Sequence, residues 1–483
     1  MTIHRREFLK AAAGVSLSAC LPSGLFSKAL AGTGKPVREF HFSASPAKVS
    51  LGSGPEFMAW TYNGQVPGPE IRVKAGEIVR VVLRNYLPEG TTIHWHGIPL
   101  QNAMDGVPGI TQPPVMPGES FVYEFEAEIP GSFLYHSHAR YQLDQGLYGP
   151  LIVEPAGTEE SYDREYTLAL EDWVMRDGGG RARTERRPPM GRMHGMMGRG
   201  RSSGPDQGPL WEPVYDGYAV NGRIYPATEP LTVTKGERVK LRLINASSAT
   251  IYHLRLAGHT LRITHADGNP IRPVETDVLR IGMGERYDVL FEANNPGHWL
   301  LAAADTGLGE DRLRVPIVYR GVNSNAADPP RFHQGLRLAS YLDFAVRDAD
   351  ENSGGDPDRV YNQVLGGGMH SAFWTINGRV YPDAETLPIG RGERVRLAYV
   401  NRSMMPHPMH LHGHFFRVVN RSLPREQWVL KDTIIVDPMQ RIDVEFTADN
   451  PGNWFHHCHN LYHMEAGMAN VVAYKSTSRS EKF

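Results

Sequence analysis

Twenty-one histidines are spread over 483 residues, a density at which chance would produce about one His-x-His pair. The chain has five: His94/His96, His136/His138, His410/His412, His412/His414 and His457/His459. In a strand, residues i and i+2 point to the same face, so each pair presents two imidazoles side by side. Neutral imidazole is a ligand for copper, zinc, iron or nickel. Two pairs from the first third of the chain and two from the last third supply eight imidazoles. That is too many for one ion, and a cluster of about three is the economical arrangement.

Cys458 lies between His457 and His459 and therefore faces the other way. His463 and Met468 follow it, and His407 opens the run His407-Pro408-Met409-His410-Leu411-His412. Two histidines, one thiolate and a weak thioether form the ligand set of a blue-copper electron-transfer site. One strand would then join a single-electron centre, through Cys458, to the cluster held by its two neighbours. A closed structural zinc site would need more thiols than this chain has.

A repeat with a period near 157 residues positions these groups. Asn63-Gly64, Asn221-Gly222 and Asn377-Gly378 begin equivalent turns. Strands over 76–85, 236–245 and 392–401 follow, apolar on one face and charged on the other. A third block ends in Pro130-Gly131, Pro296-Gly297 and Pro451-Gly452. The middle copy carries Ala302 and Ala304 where the outer copies carry His136/His138 and His457/His459, and it aligns His253 and Arg255 with His94 and His96. Histidines needed for folding would be needed in all three copies, so these are site residues of the outer two.

Gly 50 and Pro 36, with short strands and almost no amphipathic helix, indicate an all-β chain of three tandem Greek-key β-sandwiches. The expected divisions are 1–31, an export segment; 32–158; 159–322, interrupted by a Gly/Arg/Pro-rich insertion at 177–209; and 323–483. Apolar residues are 41%, charged residues 22% and the net charge −2, which excludes a disordered chain and a main partner of nucleic acid. Two cysteines, Cys20 and Cys458, exclude a disulfide framework. Arg5-Arg6-Glu7-Phe8-Leu9-Lys10 before an apolar run too short to span a membrane resembles a twin-arginine export signal, with periplasmic delivery. Ala29-Leu30-Ala31 offers a cleavage site, and Leu17-Ser18-Ala19-Cys20 offers a competing lipid attachment at Cys20.

His94-Trp95-His96-Gly97, His136-Ser137-His138, the run from His407 to Gly413, and His457-Cys458-His459 with His463 and Met468 resemble the four copper motifs of the multicopper oxidases. The resemblance implies three cupredoxin-like domains and four coppers per chain. Type 1 copper would take His407, Cys458, His463 and Met468, and type 2 would take His94 and His410. The type 3 pair would take His96, His136 and His459 on one ion, and His138, His412 and His457 on the other. It further implies oxidation of a small reductant, Cu(I) or a phenol-like donor, with O₂ reduced to water. The Met-rich insertion and the Tyr462-to-Met468 loop look most like copper-tolerance oxidases of bacteria. Asp105 and Glu465 are the candidate proton carriers, since making water consumes protons; the competing reading of Asp105 is a surface Asp-Gly turn. An alternative function is an exported copper store or electron carrier that does not turn over O₂. Met190, Met193, Met196 and Met197 are candidates for Cu(I) capture. Met404, Met405, Met409 and Met464 are expected to pack around the type 1 motifs, Trp95 and Trp454 to pack beneath the cluster strands, and His414 and His456 to serve as hydrogen-bonding neighbours.

Overall fold

The computed structural model describes residues 34–157, 161–175, 212–307, 309–323, 328–349, 355–368 and 373–475. The export segment, Cys20 and the insertion at 177–209 lie outside them. The described chain is nearly all β, in six sheets, and forms tandem cupredoxin-like sandwiches. None of its helices is long and apolar enough to cross a membrane.

Each repeat opens with the same local device. Asn63 and Gly64 have φ of 56° and 76°, Asn221 and Gly222 51° and 71°, Asn377 and Gly378 52° and 74°. Left-handed φ at both central positions is the two-residue hairpin turn for which Asn-Gly is the preferred pair. The Asn side chain then ties the turn to the neighbouring strand: Asn63 Oδ1 accepts from Ser43 N, Asn221 Oδ1 from Ala169 N and Asn377 Oδ1 from Val364 N.

The alternating strands form as their periodicity predicts. Val79, Val81 and Leu83, then Val239, Leu241 and Leu243, then Val395, Leu397 and Tyr399 are fully buried. Each of these strands runs parallel to the strand that opens its own repeat: Val37–Val49 beside Ile78–Asn85, Arg164–Trp173 beside Arg238–Asn245, and Arg359–Gly367 beside Arg394–Asn401. An asparagine ends each one. Asn85 Nδ2 donates to the Glu89 and Val115 carbonyls, Asn245 Nδ2 to those of Thr250 and Ile281, and Asn401 Nδ2 to those of Met405 and Val436.

The middle copy departs from its pattern. Its charged face, expected in water, is covered by strand Gly131–His136 of the first sandwich. Arg242 and Lys240 lie 3.0 and 2.9 Å from Asp288 Oδ2, and Ser132 Oγ donates to Asp288 Oδ1 at 2.6 Å. Burial would raise the Asp288 carboxyl, but Lys240 and Arg242 outweigh it and hold it well below the usual range. The ladder also shifts the expected alignment by two residues: Arg255, not His253, pairs with Ala302, where the first sandwich pairs His94 with His136.

On opposite faces of strand Arg164–Trp173 the middle copy buries two adjacent carboxyls, Glu171 and Asp172, neither with a cationic partner among the described residues. Glu171 accepts from Gly222 N and Trp173 Nε1, and Asp172 from Ser248 N, Ala249 N and Thr250 Oγ1. Burial pushes both up to about 7, and for Asp172 the Asp144 charge adds to it. In the unfolded chain both titrate near 4, so between about pH 4 and 7 the folded state binds more protons and stability falls as pH rises, levelling above 7. Glu171→Gln should flatten that fall by about 1–3 kcal/mol across the window. Chemical denaturation at a series of pH values measures it; equal slopes for wild type and variant would contradict the assignment.

Candidate metal centre

Four strands carry the histidine pairs inward. His94–His96 pairs with Gly131–His136, placing His94 opposite His136. His407–Leu411 pairs with Asn453–Cys458, placing His410 opposite His457. The first and third sandwiches bring these edges face to face, so all eight imidazoles are buried in one cluster. His94 stacks on His412 and His96 on His410, each pair with ring centroids 3.8 Å apart. Among the described residues, one potential ligand atom from each of His94, His96 and His410 falls within 4.8 Å of the others. The same holds for His96, His136 and His459, and for His138, His412 and His457.

Hydrogen bonds decide which nitrogen of each ring is free. His94 Nδ1 donates to the Asp105 carbonyl at 2.9 Å, His136 Nδ1 to that of Ser137 at 2.9 Å, and His410 Nδ1 to that of Asp432 at 2.9 Å. The Nε2 atoms of these three rings are buried with no partner among the described residues, a condition that costs about 1–3 kcal/mol each when nothing fills it. His412 Nδ1 donates to Asp105 Oδ2 at 3.0 Å and His457 Nδ1 to the Cys458 carbonyl at 2.9 Å. Their Nε2 lone pairs nevertheless face each other at 3.0 Å, with His138 Nε2 3.3 Å from that of His457. His96 donates from Nε2 to Asp432 Oδ1 at 3.0 Å, and turns its Nδ1 to within 3.1 Å of His459 Nε2. Burial, and then the neighbouring imidazoles, push His96, His136, His138, His412, His457 and His459 well below the usual histidine range. Neutral rings with converging lone pairs and no proton between them fit metal cations.

The second constellation lies across strand Asn453–Cys458. Cys458 Sγ is 3.7 Å from His407 Nδ1 and 3.6 Å from His463 Nδ1, and those nitrogens are 3.0 Å apart. Ser403 Oγ lies 2.7 Å from His407 Nε2. Asn401, which ends its strand, holds Ser403 in turn through the Ser403 N–H. His463 is presented by a short helix, Leu461–Glu465, whose first N–H groups Asn460 caps. Burial pushes His407 down to about 3 and the Cys458 thiol up. An isolated thiol here stays protonated, so a bound cation must displace the proton. Met468 is buried, its N–H on the His463 carbonyl and its carbonyl on the Cys458 N–H. Trp374 covers both rings, with centroids 4.1 Å from His463 and 5.1 Å from His407.

Asp105 is no surface turn. It is 1% exposed, and its carboxylate lies 3.2 Å from His94 Nδ1 and 3.0 Å from His412 Nδ1. The Asp-Gly pair still has a steric role: at Gly106, φ +79°, an added Cβ would fall 1.8 Å from the Ile93 carbonyl oxygen, so only glycine lets the turn press against the strand of His94. Glu465 ends the short helix, pushed up to about 7 by burial with Arg140 opposing; among the described residues no hydrogen bond links it to a cluster imidazole. Trp95 and Trp454 are buried, Trp95 against Tyr123 and Phe125, and Trp454 against His414. His414 and His456 have both ring nitrogens engaged, by the His412 carbonyl and Tyr474, and by Asn470 and Tyr399. Met409 and Met464 are buried and Met405 packs on the core, but Met404 is 79% exposed and packs nothing.

Asp432, Arg286 and Gly284 were not anticipated. Asp432 sits in an ordinary-looking Lys-Asp-Thr run, and Arg286 in the copy that contributes no imidazole to the cluster, so nothing in spacing marks them. Burial would raise Asp432, but Arg286 and then His96 hold it well below the usual carboxylate range.

The comparisons agree with this chemistry. Family models described as multicopper oxidase match residues 43–158, 164–317 and 356–478. Multicopper oxidase MmcO of Mycobacterium tuberculosis is 36% identical over 441 residues, covering 89% of this chain and 85% of that protein. The copper resistance protein A homolog of Pseudomonas syringae pv. tomato is 28% identical over 584 residues, covering 97% and 98%. The crystal structure of a multi-copper oxidase from Pseudomonas thermotolerans superimposes with a TM-score of 0.68 at 28% identity, covering 91% of this chain and 100% of that one. With three family models spanning most of its length and a relative 36% identical over 89% of it, the chain belongs to the multicopper oxidase family, copper-dependent oxidoreductases that use O₂.

Proposed function

We propose that the chain is a four-copper oxidase of the bacterial periplasm, reached through the twin-arginine segment, which oxidises Cu(I) and phenol-like donors and serves copper tolerance. His407, Cys458, His463 and Met468 hold the type 1 ion, and His94 and His410 the type 2 ion. His96, His136 and His459 hold one type 3 ion, and His138, His412 and His457 the other. The observation that carries this reading is the placement of Cys458 Sγ against two imidazoles while its chain neighbours His457 and His459 enter the eight-imidazole cluster. When bound, the coppers supply one-electron acceptance at the thiolate and multi-electron transfer to O₂ at the cluster.

The chain's own groups do the rest. The Cys458 backbone links Sγ to both flanking histidines, and its carbonyl accepts the His457 Nδ1–H, adding a hydrogen-bonded branch to the covalent route. On the donor side, Glu212 Oε2 lies 3.7 Å from His463 Nε2, with the Glu212 side chain 32% exposed. Asn460 Nδ2 holds that carboxylate at 2.9 Å. It is placed to accept a phenol proton or to attract a cation beside the ring through which an electron enters. At the other end Asp105, touching two cluster rings and no cation, is the group that passes protons to the site where water forms; Glu465, remote from those hydrogen bonds, is the second candidate carrier. Likeness to copper resistance protein A and the methionines at 177–209 support the tolerance role.

Cys458→Ser should abolish the thiolate-derived blue absorbance and lower donor-driven O₂ uptake by at least ~100-fold while cluster copper stays bound; oxidase activity surviving the change would refute the route. Asp105→Asn should slow O₂ turnover by roughly 10²-fold or more while a donor still bleaches the blue band at the wild-type rate. Stopped-flow absorbance separates the two steps, and unchanged turnover would remove Asp105 from proton delivery. Deleting 177–209 should reduce Cu(I) oxidation and spare phenol oxidation, read by O₂ electrode; equal effects on both would deny the insertion a role in Cu(I) capture.

A further inference from the structure

Two stacked ring pairs of the cluster join the first sandwich to the third: His94 with His412, and His96 with His410. Each pair rests on one carboxylate. Asp105 serves the first, and Asp432 the second, with Oδ1 3.0 Å from His96 Nε2 and its own carbonyl on His410 Nδ1. The two carboxylates differ in what lies behind them. Arg286, of the middle sandwich, which lends no imidazole to the cluster, meets Asp432 with a two-pronged fork, Nη1 to Oδ1 and Nη2 to Oδ2, both at 2.7 Å. Arg286 is completely buried, and two further donors reach the Ser132 and Gly284 carbonyls at 3.1 and 3.0 Å. Asp267, from the same sandwich, accepts the Asp432 and Thr433 N–H groups and lies 3.0 Å from Lys431 Nζ. Packing is equally close: an added Cβ at Gly284 would lie 2.7 Å from His96 Cε1, and one at Gly97 2.3 Å from Arg286 Nη2.

A buried ion pair is a poor device for stability alone, because desolvation offsets the attraction, but a bidentate fork fixes the plane and position of its carboxylate. We propose that Arg286 is a positioning residue for the copper cluster: acting through Asp432, it orients His96 and His410, so the middle sandwich controls cluster occupancy without supplying a ligand. This rests on the four-copper reading above.

The test compares copper per chain, blue absorbance and the electron paramagnetic resonance spectrum of the type 2 ion in copper-loaded wild type, Arg286→Gln and Arg286→Lys. Lysine keeps the buried charge but loses the fork. The expected result is four coppers in wild type and, in both variants, full blue absorbance with cluster copper lost at least threefold faster to a chelator and an altered type 2 spectrum. Should the glutamine variant fail to fold, the lysine variant alone decides. Wild-type chelator resistance and an unchanged type 2 spectrum in the lysine variant overturn the proposal. So does a parallel loss of blue absorbance and thermal stability with the type 2 spectrum intact, the mark of a merely structural role. Fewer than four coppers in wild type refutes the four-copper reading instead.

Discussion

A neutral imidazole carries one proton on two nitrogens, and the acceptor met by one nitrogen decides that the other keeps its lone pair. The cluster applies this rule repeatedly in an interior that disfavours charge. Backbone carbonyls of Asp105, Ser137, Asp432 and Cys458, with the carboxylates of Asp105 and Asp432, take the protons on the outside. The lone pairs are left pointing inward at each other. Such a core carries an electrostatic cost that bound cations would relieve.

The need to hold those rings explains the order of the sandwiches. The first and third supply the imidazoles, and their edges meet at the cluster. The middle sandwich locks the contact from one side. Its charged strand face docks on Gly131–His136 through Asp288, Arg242 and Lys240, while Arg286 and Asp267 grip the segment from Lys431 to Thr433. A domain without ligands is thus part of the site's geometry.

Cys458 imposes the other constraint. Its thiol is driven up by burial and is useful only when a cation replaces the proton. Its neighbours must meanwhile face the opposite side, which strand alternation provides without further machinery. The His463 helix and the Ser403–His407 contact then aim two imidazoles at the sulfur from elements on either side of the strand.

Much of this was legible in order along the chain, because the signals are local. His-x-His at strand spacing, Cys458 between two histidines, the repeated Asn-Gly turns and the alternating strands each follow from a period of two or a turn's demand for positive φ. The contrast of Ala302 and Ala304 with their histidine counterparts identified which copies hold the site. Asp105 was visible only as one of two readings, since a buried carboxylate and an exposed Asp-Gly turn look alike until burial is known. The middle copy's charged face, the two-residue offset that places Arg255 rather than His253 opposite Ala302, and the Arg286–Asp432 fork lay beyond reach. Sequence by itself determined which histidines and which cysteine come together, their pairing on strands and the threefold fold. Tertiary structure decided which nitrogen of each ring is free and which charges are buried: neighbouring carbonyls within the same sandwich orient His94, His136, His410 and His457, but His96 and His412 depend on carboxylates brought from another sandwich, more than 300 residues away along the chain.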